Sequence, residues 1–379
     1  MAEVRRGYSL GDVLAWLNPL PGAELANRAE LGASESQIRV DLPAPLALSK
    51  PANIAFFFSR EFESELPSAA PGILITKASF VKPLKEAGLG LWKTSAVVSC
   101  ANPHLAMALI SQKFAPGFST VAHGERKPRA IHSTAVVSPA AEIGEGVQVG
   151  AYCVIEEGAK VGANSILYPH VYVGPGAAVG EACVFFPGVA IYEWVRIGNR
   201  VRIHANSTIG SDGFGYAVRT EDGKPSGHEK IYHLGRVIIG DDVEIGANTC
   251  VDRGTWGDTV ISRMAKLDNQ VHVAHNAYVD EGGILCGCVG LSGGAKVGKY
   301  AYVGGMAGLA NNVVVGDGAK VAGMTLVSKD VPPGTTAVGN PQRDHREFFR
   351  MHAMLSRMLA EKRGAGDKKS DSPEKKKKD

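Results

Sequence analysis

Residues 131–161 read IHSTAVVSPAAEIGEGVQVGAYCVIEEGAKV, and an aliphatic residue returns at every sixth place: Ile131, Val137, Ile143, Val149, Ile155 and Val161. The step continues through Leu167, Val173, Val179, Phe185, Ile191, Ile197, Ile203 and Ile209. Four residues after these stands a small or β-branched one, as at Ala135, Ala141, Val147, Cys153, Ala159, Ser165 and Val171. After an interruption, a second register runs Ile261, Leu267, Val273, Val279, Leu285, Leu291, Val297, Val303, Leu309, Val315, Val321 and Val327. A helix repeats near 3.6 residues and a half-buried strand near 2, so neither explains a period of six. A β-helix does. Each hexapeptide is a short strand and a turn, and three make one triangular coil with the apolar residue inside and the small one beside a corner. Coils then stack at the spacing of neighbouring strands, about 4.8 Å.

The predicted fold is therefore mainly β, a left-handed parallel β-helix over residues 130–338 whose open ends need caps. Outside it, residues 1–120 lack the sixfold pattern and read as an α/β domain. Ser9 and Asp12 form a capping box ahead of Leu10, Val13, Leu14 and Leu17, and Asn18-Pro19 stops that helix. Ile54–Phe58, Ile73–Thr76 and Ala96–Ser99 read as strands, and Asn102-Pro103 opens a helix to about Phe114. Ala115–Arg129, rich in Gly, Pro and charge, reads as a linker. Ser211–Arg236 is too long and polar for a turn and must leave the solenoid as a loop. Residues 341–363 have helical spacing at Phe348, Met351, Met354, Leu355, Met358 and Leu359 with arginines interleaved, and residues 364–379 read as a disordered charged tail.

The composition narrows the function. Of 379 residues 45% are hydrophobic, and 41 Lys and Arg nearly balance 38 Asp and Glu, which excludes a disordered chain and gives no basis for nucleic-acid binding. No run of eighteen apolar residues and no secretory leader occurs, so a cytoplasmic protein with at most peripheral membrane contact is expected. The six cysteines form no CxxC pair, and no metal site is expected.

Three stretches carry a family likeness: GSDGFGY (Gly210–Tyr216), LGRVIIGDDVEIGANTCVDRG (Leu234–Gly254) and LDNQVHVAHN (Leu267–Asn276). Together they resemble the UDP-3-O-acylglucosamine N-acyltransferases of lipid A synthesis, and the likeness spans the chain. It implies a homotrimer with active sites in grooves between neighbouring β-helices. The implied reaction moves an (R)-3-hydroxyacyl chain from the thioester of acyl carrier protein to the 2-amino group of UDP-3-O-acylglucosamine, with no cofactor beyond that co-substrate.

The attacking nitrogen must lose a proton, and a histidine titrates in the right range. His275 matches the family base and, two residues after interior Val273, faces outward. Gly293 lies eighteen residues on, one full coil, so its backbone stacks on His275 and its N–H suits the oxyanion, with no Cβ in the way. The resemblance further makes Asp268 an orienting acid for the imidazole and Asn276 a substrate contact. It places uracil between Phe56 and Phe62, with Ser59 where the family has asparagine, and it sets Asn312 where many members carry a second histidine. Met324 and Leu326 fall at the end of the acyl groove, and Arg343, Arg346 and Arg350 at the docking site for the acidic carrier protein. The alternatives are a hexapeptide acyltransferase on another nucleotide-activated amino sugar, or a binding paralogue without catalysis.

Overall fold

The computed structural model describes residues 7–118 and 130–367. They fall into two compact units, Met1–Glu125 and Arg126–Asp379. In the first, a five-stranded sheet runs Glu24–Leu25, Ala96–Cys100, Ile73–Lys77, Asn53–Phe57, Leu42–Pro43, parallel except for the first pair. Its three long strands are almost continuously apolar because both faces are covered. Helix Leu10–Leu17 starts on a reciprocal box, with Ser9 Oγ accepting from Asp12 N at 3.1 Å and the Asp12 carboxylate accepting from Ser9 N at 2.8 Å. Helix Pro103–Phe118 runs four residues beyond the expected stop, and the rest of the linker, 119–129, lies outside the described residues.

The second unit is the β-helix. Its strands pair in parallel at steps of one coil, as in Val149↔Leu167, Leu167↔Phe185 and Phe185↔Ile203, and build walls of nine, ten and twelve strands. The sixth-place side chains stack inside, where Leu167, Val173, Phe185, Ile191, Ile203, Val273 and Leu285 are buried. Burying one such side chain contributes roughly 1.5–3 kcal/mol, repeated up the whole stack. Most hexapeptides from Gly146 to Met324 turn their corner on one residue of positive φ, for example Gly146, Asn164, Gly176 and Asn206. Asn276 (φ 59°), Asn312 (φ 61°) and Met324 (φ 58°) belong to this corner series.

The regular step fails twice. Ile203 pairs with Ile245, and Ile245 with Leu267. The first insertion is the loop after Ile209, which rises as an exposed antiparallel hairpin of Tyr216–Glu221 against Lys224–Lys230. The second is a short bulge at Gly254–Gly257. Between them lies a coil that the two sequence registers pass over, with Val237, Ile239, Val243, Ile245 and Val251 buried.

At the far end, Thr336–Val338 pairs antiparallel with Arg343–Asp344, and the helix runs His345–Asp367. It begins four residues later than expected because the Asp344 carboxylate accepts from Arg346 N and Glu347 N and so defines the N-cap. It also covers residues 364–367, which the sequence assigns to the tail; 368–379 lie outside the described residues. Among the described residues no helix is long and apolar enough to cross a membrane, no group of three or more His, Cys, Asp or Glu could hold a metal ion, and the cysteines are free.

Candidate active site

His275 stands in the turn after strand His272–Val273, one residue before a corner. Its Nδ1 lies 3.1 Å from Asn276 Oδ1 and 3.4 Å from Thr255 Oγ1. Asn276 is itself held, because Oδ1 accepts from Thr255 N at 3.0 Å and its own N–H donates to Thr259 Oγ1 at 2.8 Å. An amide oxygen can only accept, so Nδ1 carries a hydrogen, which leaves Nε2 as the nitrogen available to exchange a proton with a substrate. That arrangement is the one a general base requires.

Gly293 lies over the ring. A Cβ built there would sit 2.6 Å from His275 Cε1 and 2.8 Å from Nε2, so only glycine leaves the imidazole in place. The next residue, Gly294, donates from its N–H to His275 O at 3.0 Å, and Gly293 O accepts from Asn312 N at 3.0 Å. Among the described residues the Gly293 N–H has no acceptor, which leaves a backbone donor beside the base.

Three residues that sequence reasoning did not single out complete the surroundings. Asp252 is buried at 6% exposure, accepts from Ser211 Oγ at 3.0 Å and lies 3.7 Å from His272 Nε2. Burial pushes its pKa up, against the downward pull of His272, the Ser211 hydrogen bond, His233 and His275. His233 is 3% exposed, with its ring 5.1 Å from that of His275 at an interplanar angle of 62°. Arg253, also buried, ties the loop base down through Nε to Gly210 O at 2.8 Å and Nη1 to Glu193 Oε1 at 2.7 Å. The loop closes on both imidazoles, since a Cβ at Gly213 would lie 2.7 Å from His233 Nε2 and 3.0 Å from His275 Cβ.

The orienting acid drawn from the resemblance is elsewhere. Asp268 follows Lys266–Leu267 in the twelve-stranded wall, is exposed, and accepts from Asn269 N at 2.7 Å, whereas His275 follows the ten-stranded wall. The hydrogen-bonding groups on the imidazole are Asn276 and Thr255. Asn276 is thus placed to orient the base, and the corner conformation of Asn312 gives that residue a backbone reason to be asparagine. Beside the base, the outward row Cys250, His272, Gly290, Gly308, Leu326 climbs the ten-stranded wall. Gly290 has open space around it, and Leu326 Cδ1 lies 3.5 Å from where a Gly308 Cβ would be. The two glycines cut a side-chain-free strip that ends at Leu326. Met324 sits at a corner, 72% exposed.

In the N-terminal unit Phe56 packs partly buried on the core, Ser59 caps the 3-10 helix Arg60–Ser68 with Oγ 3.4 Å from Glu61 N, and Phe62 is 40% exposed. The closest aromatic pair there is Phe58 with His104, 4.2 Å between rings. Of the arginines, Arg346 and Arg350 are exposed on the helix, while Arg343 sits on the preceding strand 3.5 Å from Glu347 Oε1. The missed residues had a signal. Asp252 and Arg253 lie in the skipped coil, and Gly290 and Gly308 stand eighteen apart at outward strand positions.

A solenoid that breaks its own period to hold an imidazole beside an unclaimed N–H defines a hexapeptide-repeat acyltransferase. Residues 140–175 match the family model "Bacterial transferase hexapeptide (six repeats)". The UDP-3-O-acylglucosamine N-acyltransferase of Helicobacter hepaticus is 37% identical over 86% of this chain and 91% of its own. That of Anaeromyxobacter dehalogenans strain 2CP-1 is 37% identical over 74% and 76%. The crystal structure of the Arabidopsis UDP-N-acetylglucosamine acyltransferase superposes with a TM-score of 0.51 at 27% identity, over 59% of this chain and 76% of that one. The chain belongs to the UDP-3-O-acylglucosamine N-acyltransferase family.

Proposed function

We propose that the protein transfers an (R)-3-hydroxyacyl chain from the thioester of acyl carrier protein to the 2-amino group of UDP-3-O-acylglucosamine, with His275 as general base. The observation that carries this reading is the His275 ring, held through Nδ1 by Asn276 with Nε2 beside the Gly293 backbone. As the amine nitrogen attacks the thioester carbon, Nε2 takes its proton and the carbonyl oxygen becomes an oxyanion that the Gly293 N–H stabilises. The C–S bond then breaks, the imidazolium returns the proton to the departing thiolate, and an amide and a free thiol result. Nothing in this sequence needs a metal or cofactor.

The strip at Gly290 and Gly308 suits the acyl chain, with Leu326 and Met324 at its far end. The exposed Arg346 and Arg350 give an acidic carrier protein a cationic partner, and Arg343 lies at the foot of the same helix. Phe56 and Phe62 are proposed to flank the uracil; the Ser59 hydroxyl, engaged as a cap, leaves base recognition to other groups. The working form is taken to be a homotrimer in the cytoplasm, the groove being shared between neighbouring copies. The test is a mass-spectrometric transfer assay with UDP-3-O-acylglucosamine and a panel of acyl carrier protein thioesters, comparing wild type with His275→Ala. Amide that forms with wild type and disappears in the variant is the expected result; wild type inactive with every donor sinks the reading.

A further inference from the structure

His233 is a buried titratable side chain that the reaction above does not use. It lies on the return from the hairpin, and the backbone on either side is tied down: Ile231 N donates to Gly215 O and Leu234 N to Thr255 O, both at 2.9 Å. It is thereby anchored to the glycine loop and to the Gly254–Gly257 bulge at once. Neither ring nitrogen has a hydrogen-bond partner of good geometry among the described protein groups, although the Ile231 backbone lies close enough to pull its pKa upward. An imidazole buried in this way costs free energy, because its ring nitrogens give up hydrogen bonds to water. A phenylalanine or leucine would fill the same space without that cost. What distinguishes the site is its neighbour, the ring of His275 edge-on at 5.1 Å.

We propose that His233 is a positioning residue for acyl transfer: it walls in the His275 imidazole beneath the glycine loop and stays uncharged, so that the proton of the reaction resides on His275 alone. The inference rests on the reading of His275 as the base. Two imidazoles in contact cannot both be cationic cheaply, and their burial differs. His233 is the more enclosed, and burial first, then the charge of His275, holds its pKa below the ordinary histidine value. The groups facing it from the packed elements are Asp252 from the strand below, Asp212 from the loop and His275; Asp212 is neutralised by Lys230 at 2.7 Å, and Asp252 is shared with His272. Asp212, the Ile231 backbone and Asp252 pull the other way and are outweighed. The glycines complete the device, because a side chain at Gly213 or Gly215 would strike the His233 ring, at 2.7 Å from Nε2 and 2.9 Å from Cε1.

The experiment compares full-length wild type, His233→Phe, His233→Ala and His275→Ala in the transfer assay, with kcat and sugar-nucleotide KM measured across pH and folding checked by circular dichroism. His233→Ala opens space beside the base and is expected to lower kcat at least about tenfold while KM holds within about twofold. His233→Phe restores the wall and is expected to keep kcat within about threefold of wild type, with the midpoint of the acid limb unmoved. Wild-type kcat in a folded His233→Ala would reduce His233 to filler. An acid limb displaced by more than about half a unit in His233→Phe would mean that His233 carries the proton, and this arm stands even if the alanine variant does not fold. Failure of the underlying reading looks different: His275→Ala then retains wild-type turnover, whatever the His233 variants do.

Discussion

Replacing Gly293 by alanine adds one methyl group, and the structure says where it lands. Its distances of 2.6 Å to His275 Cε1, 2.8 Å to Nε2 and 3.3 Å to Nδ1 mean that it strikes the imidazole and not the backbone. Carbon atoms in contact prefer about 3.5–4.0 Å, so the ring must retreat by roughly 1 Å. Its Nδ1 bond to Asn276, 3.1 Å long, does not survive a shift of that size. A displacement of about 1 Å in a catalytic group costs on the order of 100-fold in rate, close to 2.7 kcal/mol of barrier. Stability follows a different course. Gly293 is not among the residues of positive φ, so alanine fits its backbone, and the entropy removed from the unfolded chain favours the variant by about 0.4–1 kcal/mol. The expected signature is a melting temperature within a few degrees of wild type with kcat down about 100-fold. Gly90→Ala, at a position with open space in the other unit, carries the same unfolded-chain effect and serves as the control that leaves kcat unchanged. Transfer rates by mass spectrometry and thermal melts decide the matter. Full activity in Gly293→Ala would show that the imidazole does not work from beneath Gly293.

Asn276→Asp keeps the acceptor and the tolerance for positive φ but adds a negative charge 3.1 Å from Nδ1. A carboxylate favours the imidazolium, so the acid limb of the kcat profile is expected to move to higher pH, read from rates between pH 5 and 9. Leu326→Ala opens the end of the glycine strip and Gly308→Val blocks it, so the preferred donor is expected to lengthen in the first and shorten in the second, by competition among carrier-protein thioesters. Asp252→Asn tests the buried acid. Burial raises its pKa above the ordinary 3.8, so the folded chain binds more protons than the unfolded one between those values, and stability falls as pH climbs through that window. The asparagine variant is expected to melt above wild type at pH 8, with the advantage disappearing below pH 3.8; a lower melting point at pH 8 would contradict the assigned direction.

The solenoid was legible because its rule is strictly local. One interior residue in six sets the strand, and Ile131 to Ile209 announce it without any contact being known. Gly293 over His275 was legible for the same reason, since a coil of eighteen residues turns sequence distance into stacking. The coil from Val237 to Asp252 keeps the phase of the first register, since Ile239, Ile245 and Val251 follow Ile209 at multiples of six, but the polar hairpin loop separates it from Ile209, and only the bulge after it shifts the phase to that of Ile261. Asp268 went astray for another reason. Seven residues from the base is close in sequence, yet every hexapeptide carries the chain to the next wall, so Asp268 follows a strand of the neighbouring wall. Asn276 also has a task that the sequence does not show, since its hydrogen bonds run to Thr255, Thr259 and His275 across the bulge, and no spacing rule reaches across an irregular segment.

That irregularity is itself the reason the site lies where it does. An unbroken coil gives every corner the same surroundings: a neighbour one coil below and another one coil above, with solvent outside. A base needs more than that, because its tautomer must be fixed and one face must be shielded while the other stays open. At His275 the bulge brings in Thr255, the hairpin return brings in His233, and the loop lays Gly213 against the ring. All three come from the two places where the step of eighteen fails. The coil above keeps its regular register, and Gly293 leaves the catalytic face bare. Removing the four-residue bulge would repair the repeat, and the coils on either side supply strands that already pair in register. Such a deletion is expected to leave a folded β-helix while taking away the Thr255 N–H that holds Asn276 and the carbonyl that anchors Leu234 beside His233. A deletion variant that folds and still transfers acyl groups at the wild-type rate would show that the stacked coils alone suffice, and that the broken period has some other purpose.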